Sequence, residues 1–123
     1  MACGRLIKDV WSGRDNSFRL RLDVVASDGT VTPEDLSGVL TVELLLGDAV
    51  LTVNVNDSNA GINWWDGSLD VGEMQFELGD FIQSAGLARG QWAAELVLYS
   101  AVYPDGIVWV SEKNRELLIN ALE

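Results

Sequence analysis

The sequence predicts an all-β protein, an antiparallel sandwich or barrel of seven to nine short strands with at most one short helix near residues 80–86. Three observations carry this. Apolar residues alternate at period two in segment after segment, as strands with one face in a core require. Turn signals built from Gly, Asp, Asn and Pro return every ~8–12 residues. No internal repeat, linker or low-complexity segment interrupts the 123 residues, so residues 1–123 are expected to form a single β domain, long enough to bury a real core.

The segments follow in order. Arg5–Trp11 reads as a strand, with Leu6, Lys8 and Val10 alternating against Ile7, Asp9 and Trp11. Ser12-Gly13-Arg14-Asp15 is a turn. Next, Phe18, Leu20, Leu22 and Val24 point inward while Ser17, Arg19, Arg21 and Asp23 point outward, the pattern of one strand with a wet face. Ser27-Asp28-Gly29 closes it. Thr32-Pro33-Glu34-Asp35-Leu36 reads as one helical turn capped by Thr32, with Pro33 at its first position. Val39–Leu46 and Ala49–Val55 flank Gly47-Asp48, a two-residue hairpin turn with positive φ at its first position. Asn54–Gly67 is a loop rich in Asn and Asp. Leu69–Leu78 reads as a strand whose inward parity switches at Gly72-Glu73, which predicts a β-bulge at Gly72. Gly79–Leu87 is the short helical stretch, capped by Asp80, ended by Gly86, and covering one end of the core with Phe81, Ile82 and Leu87.

The strongest hairpin runs from Gly90 to Trp109. Trp92, Ala94, Leu96 and Leu98 form its inward face, and Gln91, Ala93, Glu95, Val97 and Tyr99 the other. That second face is not very polar, so the strand is expected at the centre of its sheet. Tyr103-Pro104-Asp105-Gly106 forms the turn, and Ile107–Val110 returns. Arg115–Ala121 is the last strand, with Leu117 and Ile119 on one face and Leu118 on the other.

Composition removes several kinds of function. Histidine is absent and Cys3 is the only cysteine. Ser-His-Asp and Cys-His nucleophile systems, His-based zinc sites and internal disulfides are therefore excluded. Cys3 reads as a passive thiol, since activation needs a basic neighbour. No apolar run approaches the ~20 residues of a membrane span, and Lys8 and Asp9 interrupt the N-terminus before any secretory apolar stretch develops. The net charge of −11 opposes binding to nucleic acid or to an anionic membrane. Charge is also segregated. Residues 1–21 hold Arg5, Lys8, Arg14, Arg19 and Arg21 against Asp9 and Asp15, whereas residues 22–88 hold twelve acids and no Lys or Arg. Arg19 and Arg21 are candidates for contact with an acidic surface, of this subunit or a neighbour.

Among sites for small ligands, Trp64-Trp65-Asp66 is the candidate: an exposed indole beside a carboxylate is a platform for a sugar. Consecutive residues of a strand point to opposite faces, so at least one of Trp64 and Trp65 is expected in the core. A pair of carboxylates, as in glycoside hydrolysis, is the only catalytic chemistry the composition leaves. Asp66, Asp70 and Glu73 are near each other in sequence, but acids are abundant here and closeness alone makes no pair. Asn56, Asp57, Asn59 and Asp66 offer oxygen ligands without the spacing of a calcium loop, so a plain Asx-rich turn is expected there. Glu43 reads as a surface acid. No catalytic residue, cofactor or metal site is assigned.

The second half carries a further pattern. Gly72, Met74, Phe76 and Leu78 precede a short helical stretch, followed by Gly90, Trp92 and Leu96 and a hairpin closing on Asp105-Gly106 and Trp109. The first half adds Phe18–Val24, Asp28-Gly29 and Asp35-Leu36-Ser37-Gly38. Over nearly the whole chain this resembles the small immunoglobulin-like domains of tailed-phage structural proteins, such as the N-terminal domain of phage baseplate upper proteins and tail-fibre attachment domains. The resemblance implies an immunoglobulin-like β-sandwich and a non-enzymatic virion protein of the tail, baseplate or fibre. It implies assembly in the bacterial cytoplasm without a signal peptide. It also implies partners among other virion proteins or copies of itself, a homo-oligomer for which a trimer is one arrangement. The alternative expectation is a carbohydrate-binding module using Trp64 and Trp65.

Overall fold

In a computed structural model of the chain, residues 5–25, 27–33, 35–57, 61–108 and 116–122 are described. Cys3, Glu34, Asn59, Trp109, Val110 and Arg115, named above, lie outside them, as do the side chains of Arg5, Leu6, Asp23 and Val24. The described elements are β1 (Arg5–Trp11), β2 (Ser17–Arg21), β3 (Asp23–Val25), β4 (Val31–Pro33), β5 (Val39–Leu46), β6 (Ala49–Asn54), β7 (Ile62–Asn63), β8 (Glu73–Glu77), α1 (Gly79–Ala85), β9 (Gly90–Ser100), β10 (Ile107–Val108) and β11 (Glu116–Leu122).

Nine strands form two sheets, and neither closes into a barrel. The larger sheet runs β1-β11-β9-β5-β6, with β10 also on β9; the smaller runs β2-β8-β7. β3 and β4 make a separate two-stranded ribbon. The fold is an all-β sandwich. Its pairings are antiparallel apart from β1 with β11, which run parallel from Arg5↔Glu116 to Trp11↔Leu122. Parallel neighbours need a long crossover, and here nearly the whole domain supplies it.

β9 occupies the predicted central place. β5 covers one edge from Ala94 to Ser100, while β11 covers Gly90–Ala94 and β10 covers Val97 and Leu98 on the other. Its inward residues Ala94, Leu96 and Leu98 are buried, and Trp92 packs half-buried against the core. The turn closes as read, with the Gly106 N–H donating to the Tyr103 carbonyl at 3.1 Å. The core between the sheets takes Val42, Leu44, Leu46, Leu96 and Ile119 from the larger and Leu20, Ile62, Met74 and Phe76 from the smaller. Burying such side chains is worth ~1.5–3 kcal/mol each. Lys8 and Phe18 join the layers at one end: the ammonium lies 5.7 Å from the Phe18 ring centroid, and that ring stacks on Phe76 at 5.1 Å.

Five local readings are corrected. Asn54–Gly67, expected to be loop throughout, contains β7, which pairs with β8 at Ile62↔Phe76 and Asn63↔Gln75. The strand expected over residues 17–24 is two, because the chain leaves the smaller sheet at Leu22, whose N–H donates to the Gly72 carbonyl at 2.7 Å, and continues in the ribbon. Thr32 and Pro33 lie in β4, paired with Val24 and Asp23, and begin no helix. The parity switch at Gly72 is a turn and not a bulge. The Glu73 N–H donates to the Asp70 carbonyl at 3.0 Å, and Gly72 takes φ 78° at the third turn position, where a type II turn needs glycine. Val71 projects from this turn 70% exposed, so β8 begins only at Glu73. Asp80 lies in the first turn of α1 but does not cap it; the cap position is Leu78, without a side-chain bond. Gly86 does end the helix, and Ile82, Phe81 and Leu87 close the core as expected.

Candidate functional site

The Trp64–Asp66 segment is built from Asn63, the last residue of β7. Its side-chain oxygen accepts the N–H groups of Trp65 and Asp66, each at 3.0 Å. This Asx turn swings the chain off the small sheet. Trp64 turns inward, 7% exposed, and its indole N–H donates to the Val39 carbonyl at 3.1 Å. Trp65 stays half-buried and meets Trp64 edge to face, with ring centroids 4.9 Å apart. One of the two tryptophans is in the core, as expected, but the Asx turn and not strand alternation divides them: Trp64 belongs to the core, and only Trp65 offers an aromatic surface outside.

That surface lines a cleft of about 340 Å³. Its walls hold Trp65, Val71 and four carboxylates, those of Asp35, Asp66, Asp70 and Glu73. Asp66, Asp70 and Glu73 are brought there by two consecutive turns, closed by bonds from Leu69 N–H to the Asp66 carbonyl and from Glu73 N–H to the Asp70 carbonyl, both 3.0 Å. Asp35 arrives from the segment between β4 and β5, where its carboxylate accepts the Ser37 hydroxyl at 2.6 Å and N–H at 3.0 Å.

Arg19 belongs to the same site. Its guanidinium pairs with Glu73 at 3.2 Å across β2 and β8. Arg21 sits on the same strand, directly opposite Glu73 in register. Four of the five residues singled out from sequence, Trp64, Trp65, Asp66 and Arg19, thus come together, and Arg21 flanks them. Asp35 and Ser37 were not singled out. Thirty residues separate Asp35 from Trp65, and nothing local in the sequence links them.

Three acids of the cleft, Asp35, Asp66 and Glu73, are engaged. Hydrogen bonds from the Ser68 N–H, at 2.9 Å, and hydroxyl hold the Asp66 carboxyl below its ordinary range, helped by the Arg19 charge. The Ser37 hydroxyl and N–H do the same for Asp35. Glu73 accepts from Arg19 and, at 3.3 Å, from the Asp70 N–H. A retaining or inverting glycosidase needs one carboxyl held protonated by a raised pKa, and Asp66 and Asp35 move the other way. Among the described residues no three acidic or thiol side chains gather as a metal cluster, and no polar or charged side chain is buried. The cleft presents hydrogen-bond acceptors and one aromatic face, groups that suit hydroxyl or cationic ligands.

A second depression, about 300 Å³, lies on the other side of the Asp35–Ser37 segment. Val39, Leu98, Ala101, Val102, Tyr103 and Ile107 line it. Val102 is 77% and Tyr103 52% exposed, so the tip of the β9–β10 hairpin is an apolar knob. The outer face of the larger sheet is also unusually apolar for a solvent side, with Ile7, Trp11 and Val50 each close to half exposed. Glu43 lies on that face and accepts a hydrogen bond from the Tyr99 hydroxyl.

No protein-family model and no curated protein matches this chain in sequence.

Proposed function

We propose that this chain is a non-enzymatic structural protein of a tailed-phage or prophage particle, associated with tail, baseplate or fibre and working through contacts with other virion proteins or its own copies. The observation that supports this reading is the apolar hairpin tip, where Val102, Tyr103 and Ile107 stand exposed around a groove. Contiguous apolar surface of this kind marks protein contact sites, and aromatic residues anchor them. The resemblance of the Gly72–Leu78 and Gly90–Trp109 patterns to tailed-phage domains supplies the setting, with assembly in the bacterial cytoplasm. The test is mass spectrometry of particles purified from a host carrying the gene. The chain is expected at fixed stoichiometry with the tail proteins, and its absence from intact particles overturns the reading.

The cleft favours a second reading, a carbohydrate-binding module that uses Trp65 with Asp66, Asp70 and Asp35 around it. Trp64, buried and bonded to Val39, leaves that role to Trp65 alone. Titration with oligosaccharides is expected to change tryptophan emission in the parent and not in Trp65→Phe. An unchanged parent spectrum across a panel of glycans rules this reading out.

A further inference from the structure

We infer that β6 is the edge through which two copies of this chain join, by antiparallel strand addition into one continuous sheet. This rests on the reading of the chain as an assembly protein and names the partner as a second copy. A strand at the end of a sheet exposes unpaired N–H and C=O groups, and proteins usually guard such edges with charge, proline or a bulge. The other edges here are charged, end in proline or are very short: β7 and β10 have two residues each. β1 contains Arg5, Lys8 and Asp9, β2 contains Arg19 and Arg21, and β4 ends at Pro33. β6 reads Ala-Val-Leu-Thr-Val-Asn, with no charge, glycine or proline. It pairs with β5 in unbroken register over its whole length and is the last of the described strands in the sheet.

The free groups can be named. The Val55 N–H donates back to the Leu40 carbonyl at 2.9 Å. Backbone direction alternates along an antiparallel strand, so Ala49, Leu51 and Val53 face β5, and Val50, Thr52 and Asn54 direct their N–H and C=O outward. The exposed Asn54 side chain is held aside by the Thr41 hydroxyl at 2.9 Å.

Self-pairing fits the charge pattern. With a two-fold axis at Thr52, that residue meets Thr52 of the second copy and Val50 meets Asn54, giving about six main-chain hydrogen bonds. Within the paired strands only Val50, Thr52 and Asn54 meet their counterparts, none of them charged, so no two carboxylates oppose each other there. In a chain of net charge −11, association requires a segment where like charges do not meet. Threonine opposite threonine is itself a favourable cross-strand pair.

The experiment is sedimentation equilibrium of the full chain at concentrations up to about 100 µM, with Thr52→Pro and Val50→Lys. Proline at Thr52 removes a donor that faces away from β5, a change an edge strand tolerates. The expected result is twice the monomer mass for the parent and the monomer mass for both variants, with unchanged far-ultraviolet circular dichroism. Hydrogen exchange at Val50, Thr52 and Asn54 should also slow as the parent is concentrated. If Thr52→Pro fails to fold, Val50→Lys and the exchange rates decide. A parent monomeric throughout, or variants that keep the parent's mass, overturns the edge. In the second case association through another surface leaves the assembly reading standing, and in the first that reading still answers to the composition of purified particles.

Discussion

The indole N–H of Trp64 donates to the main-chain carbonyl of Val39 at 3.1 Å, and this one bond ties the loop that bears the cleft to the start of β5. Both ends are buried, so water cannot replace a lost donor at no cost. Trp64→Phe is expected to lower unfolding stability by about 1–3 kcal/mol, read from urea midpoints at constant m. A midpoint equal to the parent's would mean that the Val39 carbonyl finds another donor.

Gly79 is held by its neighbours more than by its own conformation. A Cβ there would lie 2.1 Å from the Arg14 carbonyl oxygen and 2.9 Å from that of Trp11. The turn between β1 and β2 is in turn fixed on Asn16, whose side chain bonds the backbone of Trp11 and Arg14. Helix propensity alone would favour alanine at this position by about 1 kcal/mol. Crowding is expected to win, so that Gly79→Ala destabilises by about 1–3 kcal/mol. Thermal denaturation checks the sign, and a raised melting temperature would refute it.

Glu77 lies beside Asp15. Desolvation beside its neighbours pushes its carboxyl above the ordinary range, although the side chain is exposed, and the hydrogen bond and charge of Asp15 and the charge of Asp80 push the same way. A carboxyl raised in the folded state favours folding while protonated, and this contribution is lost as pH rises through its folded pKa. Glu77→Gln is therefore expected to be more stable than the parent at pH 7 and no more stable below about pH 4, where both states of the parent are protonated. Denaturant midpoints across that range test it. A variant less stable than the parent at neutral pH would show that Glu77 gains more from its neighbours than it loses.

Tyr99 and Glu43 meet on the outer face of the larger sheet. The hydrogen bond to Glu43 holds the Tyr99 hydroxyl above its ordinary pKa, with desolvation and the Glu43 charge adding to it. Any stability this contributes is present below about pH 10 and fades as pH rises through the folded value. Spectroscopic titration in a Tyr103→Phe background isolates Tyr99, since the chain has two tyrosines. Glu43→Gln is expected to shift its ionisation to lower pH, and an unmoved curve would show that the carboxylate does not set it.

Much of this architecture was legible because alternation reports directly on which side of a strand is buried. Residues 91–99, the Gly47-Asp48 turn and the helix end at Gly86 all follow the pattern. Trp92 does too, facing inward over Gly47, although only half-buried. What alternation cannot show is a change of partner. The Phe18–Val24 parity runs on through Leu22 while the backbone moves from one sheet to the ribbon, since side-chain direction is unaffected by which neighbour holds the hydrogen bonds. At Gly72 a positive φ serves a bulge or a turn equally well, and only the bond from Glu73 to Asp70 distinguishes them. The cleft was half legible for a related reason. Trp65, Asp66, Asp70 and Glu73 are close in sequence, but Asp35 joins them through the packing of two sheets.

The parallel pairing of β1 with β11 also governs when the molecule can form. Arg5 and Glu116 are neighbours across the sheet but lie at opposite ends of the described chain. Until the ribosome has released β11, β1 has no described strand to pair with, and β9 lacks the neighbour along Gly90–Ala94. Closing so long a loop adds only a few kcal/mol of entropy, but contacts this distant in sequence slow folding towards the millisecond-to-second range of β-sandwiches. The larger sheet should therefore complete itself only once β11 has emerged, in one late step, with the basic first strand among the last pieces to dock.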